Sequence, residues 1–174
     1  GAEKMKVVSC QGNPDLATVH VGELDDGLRI EFVESIQPPR KIHEKWVNVI
    51  STMVGCPVGC KMCDAGGVFS RLLTAEEMEA QTECLAKAKF PSGCVESKMW
   101  KIQLARMGEP TLNPNVLRFL ERLGRKDLKN LVISLSTVGP SQCAPFIQEL
   151  RRLKDSYFRG RFQLQFSIHS TDDA

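Results

Sequence analysis

From Trp46 onward, strand-like and helix-like segments alternate along the chain without interruption, and this constrains the fold more than any other feature. Trp46 to Val54 is an apolar, β-branched run that reads as a buried strand. Thr74-Ala75-Glu76-Glu77 is a capping box, and it predicts a helix running to about Lys89. Lys101 to Met107 reads as a second strand. Asn113-Pro114 then offers an N-cap and a first-turn proline to a helix ending near Gly124. Leu131 to Thr137 predicts a third strand, Ala144-Pro145 to Lys154 a third helix, and Arg161 to His169 a fourth strand. Helices of this length are the usual crossover between parallel strands, so the pattern predicts an α/β chain with a parallel sheet.

Before that point the rhythm differs. Thr18 to Gly22 and Leu28 to Ile36 are β-like runs separated by the turn signal Asp25-Asp26-Gly27, and Pro38-Pro39 closes the segment. The expected organisation is therefore a small antiparallel element and linker over residues 1–40, followed by the β/α core over 41–174.

In parallel β/α folds, chemistry gathers at the C-terminal ends of the strands and in the loops after them. Here a cysteine loop follows the first strand, Gly108-Glu109-Pro110 the second, Ser136 ends the third and His169 the fourth. All four are expected on one rim. Along the last strand Phe162, Leu164, Phe166 and Ile168 alternate with Gln163, Gln165, Ser167 and His169. The polar set either lines a cavity or marks a half-exposed edge strand.

Composition narrows the class. Hydrophobic residues at 42% and charged residues at 25% are ordinary for a globular chain, and a net charge of +2 is too small to argue for nucleic-acid binding by itself. Basic pairs such as Arg125-Lys126 and Arg151-Arg152 read as solvated helix ends. No apolar run is long enough to span a bilayer and no charged-then-apolar leader opens the chain, so no membrane partner is expected and the expected location is the cytoplasm. The odd count of seven cysteines argues against a disulfide framework and for reduced thiols serving as metal ligands.

Three of those cysteines form the pattern C-x-x-x-C-x-x-C: Cys56, Cys60 and Cys63. Thiolates favour iron–sulfur clusters or zinc. Structural zinc wants four ligands, in paired C-x-x-C halves that are not present here. An electron-carrying cluster also wants a fourth cysteine, which Cys84 or Cys94 would have to supply across a helix or a long loop. The third reading is a 4Fe–4S cluster with one iron free for the amino and carboxylate groups of S-adenosylmethionine (SAM). The position after the first strand of a β/α chain favours this third reading. Cys84 and Cys143 read as small core residues, and Cys10 and Cys94 fall in irregular segments.

Five stretches, Ser51 to Cys63, Arg71 to Glu77, Met107 to Asn113, Val132 to Pro140 and Phe166 to Asp172, together resemble the radical SAM methyltransferases of large-subunit rRNA adenine. The resemblance implies a partial parallel β/α barrel of the radical SAM type, limited to its first four βα units. It also implies reductive cleavage of SAM to a 5′-deoxyadenosyl radical, with an external electron donor such as flavodoxin or ferredoxin and an RNA substrate. By matching position, Cys56, Cys60 and Cys63 would ligate the cluster, and Gly108 and Glu109 would hold the methionine amino group. Ser136, Ser167, Ile168 and His169 would line the SAM pocket. Taken alone, Glu109 also reads as an acid that starts a helix before Pro110, and His169 as a polar strand end.

The chain departs from that family at several places. Val49 stands where the methylases carry a cysteine that resolves the protein–RNA adduct. Arg40 follows Pro39 where they carry a glutamate base, with only Glu44 nearby, and Met62 replaces an aromatic residue. The family's methyl-carrying cysteine falls after the end of this sequence and its N-terminal RNA-binding helical domain before its beginning. The expectation is therefore SAM cleavage with an open substrate, by a piece of a longer protein or by a half-barrel that self-associates through an open sheet edge. The competing expectations are a non-catalytic iron–sulfur or zinc module, or an RNA-binding relative that has lost its chemistry.

Overall fold

The computed structural model describes residues 4–65 and 68–168. Three strands, β1 (Met5–Asn13), β2 (Ala17–Leu24) and β3 (Arg29–Ser35), form an antiparallel meander. Its second turn is the expected one: Gly27 takes a left-handed φ of 80°, and the Leu28 N–H donates to Asp26 Oδ1 at 3.1 Å. β3 pairs antiparallel with β4 (Lys45–Ile50). From there β7 (Met99–Leu104), β8 (Leu131–Thr137) and β9 (Phe162–Phe166) join in parallel, giving one seven-stranded sheet in the order β1-β2-β3-β4-β7-β8-β9. A short antiparallel pair, β5 (Met53–Gly55) and β6 (Phe69–Leu72), stands apart from that sheet.

The parallel strands are added in chain order, and the helices joining them, α1 (Ala75–Lys89), α2 (Asn115–Arg125) and α3 (Ala144–Leu153), contact one another in the same order. With right-handed crossovers this places all three on one side of the sheet, as in a barrel wall rather than a doubly wound sheet. Period-2 alternation aims Trp46 and Ile50, Trp100, Ile102 and Leu104, and Leu131, Ile133 and Leu135 at the helices, where all are buried. They share one core with Met78, Leu85, Phe119, Leu123, Phe146 and Leu150. The two buried indoles are satisfied: Trp46 Nε1 donates to Glu34 and Trp100 Nε1 to Asn48, at 3.1 and 2.8 Å.

Four expected boundaries are corrected. The run from Trp46 to Val54 is two strands, because Ser51 and Thr52 leave the main ladder for side-chain and loop partners. The second parallel strand begins at Met99 and ends at Leu104, before the turn at Arg106–Gly108. The helix after Asn113 starts one residue later than expected, with Pro114 rather than Asn113 at the N-cap; Asn113 closes a turn just before it by accepting the Asn115 N–H at 3.0 Å. β9 stops at Phe166. It lies at the sheet edge with Gln163, Gln165 and Phe166 exposed, which is the edge-strand alternative. His169 lies outside the described residues.

Candidate active site

The loop carrying the cysteines is held at its root by groups far away in sequence. The Ser51 N–H donates to Gln81 Oε1 and Gln81 Nε2 donates back to the Ser51 carbonyl, both at 2.9 Å, so one α1 side chain replaces a strand partner. Asn113 Nδ2 donates to the carbonyls of Thr52 at 2.7 Å and Leu73 at 3.0 Å. The Thr52 N–H donates to the Met107 carbonyl at 2.9 Å, tying this root to the loop after β7. The loop then leaves through β5 and returns through β6, closed by the Cys56 N–H donating to the Val68 carbonyl at 2.8 Å.

Two glycines are fixed by contact. Gly55 has φ of 77° and lies against the Val68 carbonyl, where a Cβ has no room. Gly108, at φ of 100°, would place a Cβ 2.7 Å from Met53 Cβ and Thr52 Oγ1. Glycine at 108 therefore lets the Gly-Glu-Pro turn press against the base of the cysteine loop.

These constraints open a cavity of about 260 Å³ at the C-terminal ends of the strands, lined by Cys56, Cys60, Cys63, Glu109, Ser136 and Ser167 among others. Gly108, Arg106 and Thr137 also line it. The rim expected from the alternation is thus present in space, and seven of the nine expected site residues meet there. Ile168 is 75% exposed and is not among the lining residues. His169 is the ninth and lies outside the described residues. Cys10, Cys84, Cys94 and Cys143 do not line the cavity; Cys84 and Cys94 line two others.

All three cysteines of the loop are free thiols. Burial pushes the Cys56 thiol up, against the pull of the Val58 N–H; Cys60, Cys63 and Glu109 add to the rise. Among the described residues no three His, Cys, Asp or Glu side chains converge to hold a single metal ion. Three thiols around one cavity, without a fourth, suit a cluster whose irons take one sulfur each better than they suit zinc.

Glu109 is the cavity's other distinctive group. It is 4% exposed. Its Oε1 accepts from Thr111 Oγ1 at 2.8 Å, from the Thr111 N–H at 3.3 Å and from Thr137 Oγ1; its Oε2 accepts from the Val138 N–H at 3.0 Å. It caps the 3₁₀ turn Pro110–Leu112, as the plainer reading of this acid expected. Every one of these donors is neutral, and among the described residues no cation pairs with it. The cationic Arg106 lines the same cavity but donates to Glu31 Oε2 at 2.5 and 3.1 Å. Ser136 Oγ donates to Gln165 Oε1 at 3.3 Å across the β8–β9 pair. Thr137, Thr111, Gln81 and Asn113 are positioning residues that sequence reasoning missed or read only as a cap, since their partners lie up to 61 residues away.

No protein-family model matches the chain. Among curated proteins it is similar to a "probable dual-specificity RNA methyltransferase RlmN" of Carboxydothermus hydrogenoformans, 31% identical over 92% of this chain and 46% of that one. The dual-specificity RNA methyltransferases RlmN of Helicobacter hepaticus and Aliarcobacter butzleri are 33% and 31% identical, over 84% and 97% of this chain and 36% and 48% of theirs. The chain thus spans about half the length, or less, of the curated relatives it matches. A crystal structure of a radical SAM methyltransferase from Sphaerobacter thermophilus matches 98% of this chain and 60% of its own, with a TM-score of 0.59 and 22% identity, which is a likeness of fold. The chain shares the fold of that radical SAM methyltransferase. By sequence it belongs with the family of the RlmN RNA methyltransferases.

Proposed function

We propose that this chain is the cluster- and SAM-holding part of a radical SAM enzyme that cleaves SAM reductively in the service of an RNA-modifying reaction. The observation that carries the reading is Glu109: a buried carboxylate with four neutral donors and, among the described residues, no cation, on the wall of the cavity that gathers the three thiols. Buried charges are paired in stable proteins, and the α-ammonium of SAM is the cation this carboxylate fits. Cys56, Cys60 and Cys63 would hold a 4Fe–4S cluster; when bound, it supplies the electron that breaks a SAM carbon–sulfur bond. Glu109 binds and orients the ammonium, and Thr111 and Thr137 fix its carboxylate. Gly108 keeps the turn close to the cysteine loop, while Ser136 and Ser167 offer hydroxyls to the bound ligand.

The RNA substrate is proposed from the relatives' names, and the electron donor, such as flavodoxin or ferredoxin, and the reducing cytoplasm from the needs of the cluster. None of the described helices is long and apolar enough to cross a membrane. Val49, half-buried between Val33 and Gln103 in the sheet, offers no thiol for an RNA adduct. The reading is therefore SAM cleavage rather than methyl transfer by this segment. The test is anaerobic reconstitution of the intact protein. Iron and sulfide near four each, an EPR signal that SAM perturbs, and 5′-deoxyadenosine formed with dithionite are expected. No cluster, or a cluster whose EPR signal ignores SAM, would sink the proposal.

A further inference from the structure

At the other end of the parallel strands lies an open recess of about 620 Å³, lined by Arg125, Lys129, Tyr157, Arg159 and Arg161, with Asp127 the acid among its lining residues. It sits before β8 begins, whereas the thiol cavity sits where β8 ends. Seven residues at ~3.3 Å each separate them by roughly 20 Å. The recess is built, not incidental. Gly124 on α2 gives Tyr157 room to lie against the helix: a Cβ there would meet the tyrosine at 2.5 Å. Arg161 is locked by donating to the carbonyls of Leu128, Leu131 and Tyr157 at 2.5, 3.0 and 3.3 Å.

A second observation is independent of charge. Among the described residues only two non-glycines adopt positive φ, Asp127 at 50° and Arg159 at 49°, and both line this recess. Arg159, with ψ of −119°, occupies the corner of a tight turn closed by the Arg161 N–H donating to the Phe158 carbonyl at 2.8 Å. That corner is a glycine position. The chain places its glycine one residue later, at Gly160, and keeps a guanidinium at the strained site. Strained residues of this kind cluster where ligands are held. Among the described residues Arg159 forms no ion pair, whereas Lys129 leans on Asp127 at 2.7 Å and Arg125 on Glu121 at 3.0 Å.

We infer that this recess binds the phosphate backbone of the RNA substrate, holding it away from the reacting end of the sheet. The choice of RNA rests on the function proposed above. The choice of a phosphodiester chain over a small free phosphate rests on geometry. The cations are spread from the last turn of α2 to the turn before β9, along an open recess rather than in a closed pocket. Tyr157 adds a ring beside the cations, the combination that single-stranded RNA uses for stacking and charge.

The test measures binding of a mixed-sequence single-stranded RNA to the intact protein over a range of salt. Arg159→Gly combined with Lys129→Ala should weaken binding about tenfold, equally for unrelated sequences, and lower the salt slope by about 1.4, some 0.7 per lost phosphate contact. Lys6→Ala, on exposed β1, should change neither. Arg159→Gly also relieves the turn, so its thermal midpoint should hold or rise and misfolding cannot imitate the effect. RNA binding and slope unchanged in the double variant, or inorganic phosphate competing as well as RNA, would overturn the inference. SAM-dependent 5′-deoxyadenosine formation without RNA reads the thiol cavity alone, so its loss or persistence separates failure of that site from failure of this one.

Discussion

Glutamates are buried in two regions of this molecule, and they are treated in opposite ways. Around α1, Glu34, Glu77 and Glu79 are 5, 7 and 6% exposed, and each meets protein cations. Glu34 faces Lys89 at 3.2 Å, Glu77 is gripped by both terminal nitrogens of Arg71 at 2.8 Å, and Glu79 meets Arg122 at 2.7 Å and Lys126 at 2.6 Å. On the rim, Glu109 is more buried than any of them, and among the described residues it has only hydroxyls and backbone N–H groups as partners. The first arrangement is complete within the protein and holds α1 against its neighbours. Under the proposed function, the second would be completed by the positive charge of the ligand.

The largest expected effect breaks this contrast at the rim. Glu109→Gln should lower SAM-dependent 5′-deoxyadenosine formation by at least ~100-fold, since a charge-assisted contact to the ligand is lost along with its orientation. The cost in stability should be only about 1–2 kcal/mol, from the Val138 N–H meeting an amide. Unchanged activity with an unchanged KM for SAM would remove Glu109 from the site. The next effect falls on the other region. Arg71→Ala strands the Glu77 carboxylate and should cost on the order of 3 kcal/mol in denaturant unfolding, with the KM for SAM unmoved.

The same region sets a pH dependence. Burial raises the carboxyl of Glu77, but the Arg71 guanidinium and the Thr74 N–H outweigh it and hold the group below its usual 4.5. Glu34 and Glu79 are likewise raised by burial and brought below 4.5 by their partners, His20 and Lys89 in one case and Lys126 and Arg122 in the other. A depressed folded value means stability that is fully present above about 4.5 and is lost as pH falls through the folded values. Unfolding free energy should therefore decline below pH 4.5, and less steeply in Glu77→Gln. The smallest effect sharpens the rim again. Thr137→Val removes one donor to Glu109 and should raise the KM for SAM several-fold with little change in kcat, while Thr137→Ser restores it.

What the sequence made legible was local. The capping box is present as read, with Glu77 Oε1 accepting the Thr74 N–H at 3.0 Å and Thr74 Oγ1 accepting the Glu77 N–H at 3.1 Å. Leu131–Thr137 is a strand with the expected ends, since its apolar alternation is packed under helices. The rim was legible because chain order alone places the loops after parallel strands at one end. β1 was not, because an edge strand with few buried residues has little alternation to read. The break after Ile50 was also hidden, since the glutamine that causes it lies 30 residues further on. The same holds for Glu109: its type and place could be read, but that no cation among the described residues stands beside it is a property of packing.

Gln81 gives the cysteine loop two mechanical regimes. Its amide holds the N–H and carbonyl of Ser51 as a neighbouring strand would, inside the core, while Lys61 to Asp64 at the far end of the loop are exposed. The loop is a cantilever clamped at its root, whose tip can settle around an inorganic guest without disturbing the sheet. Under the proposed function, insertion of the cluster would follow folding, and its loss in oxygen would leave the protein standing.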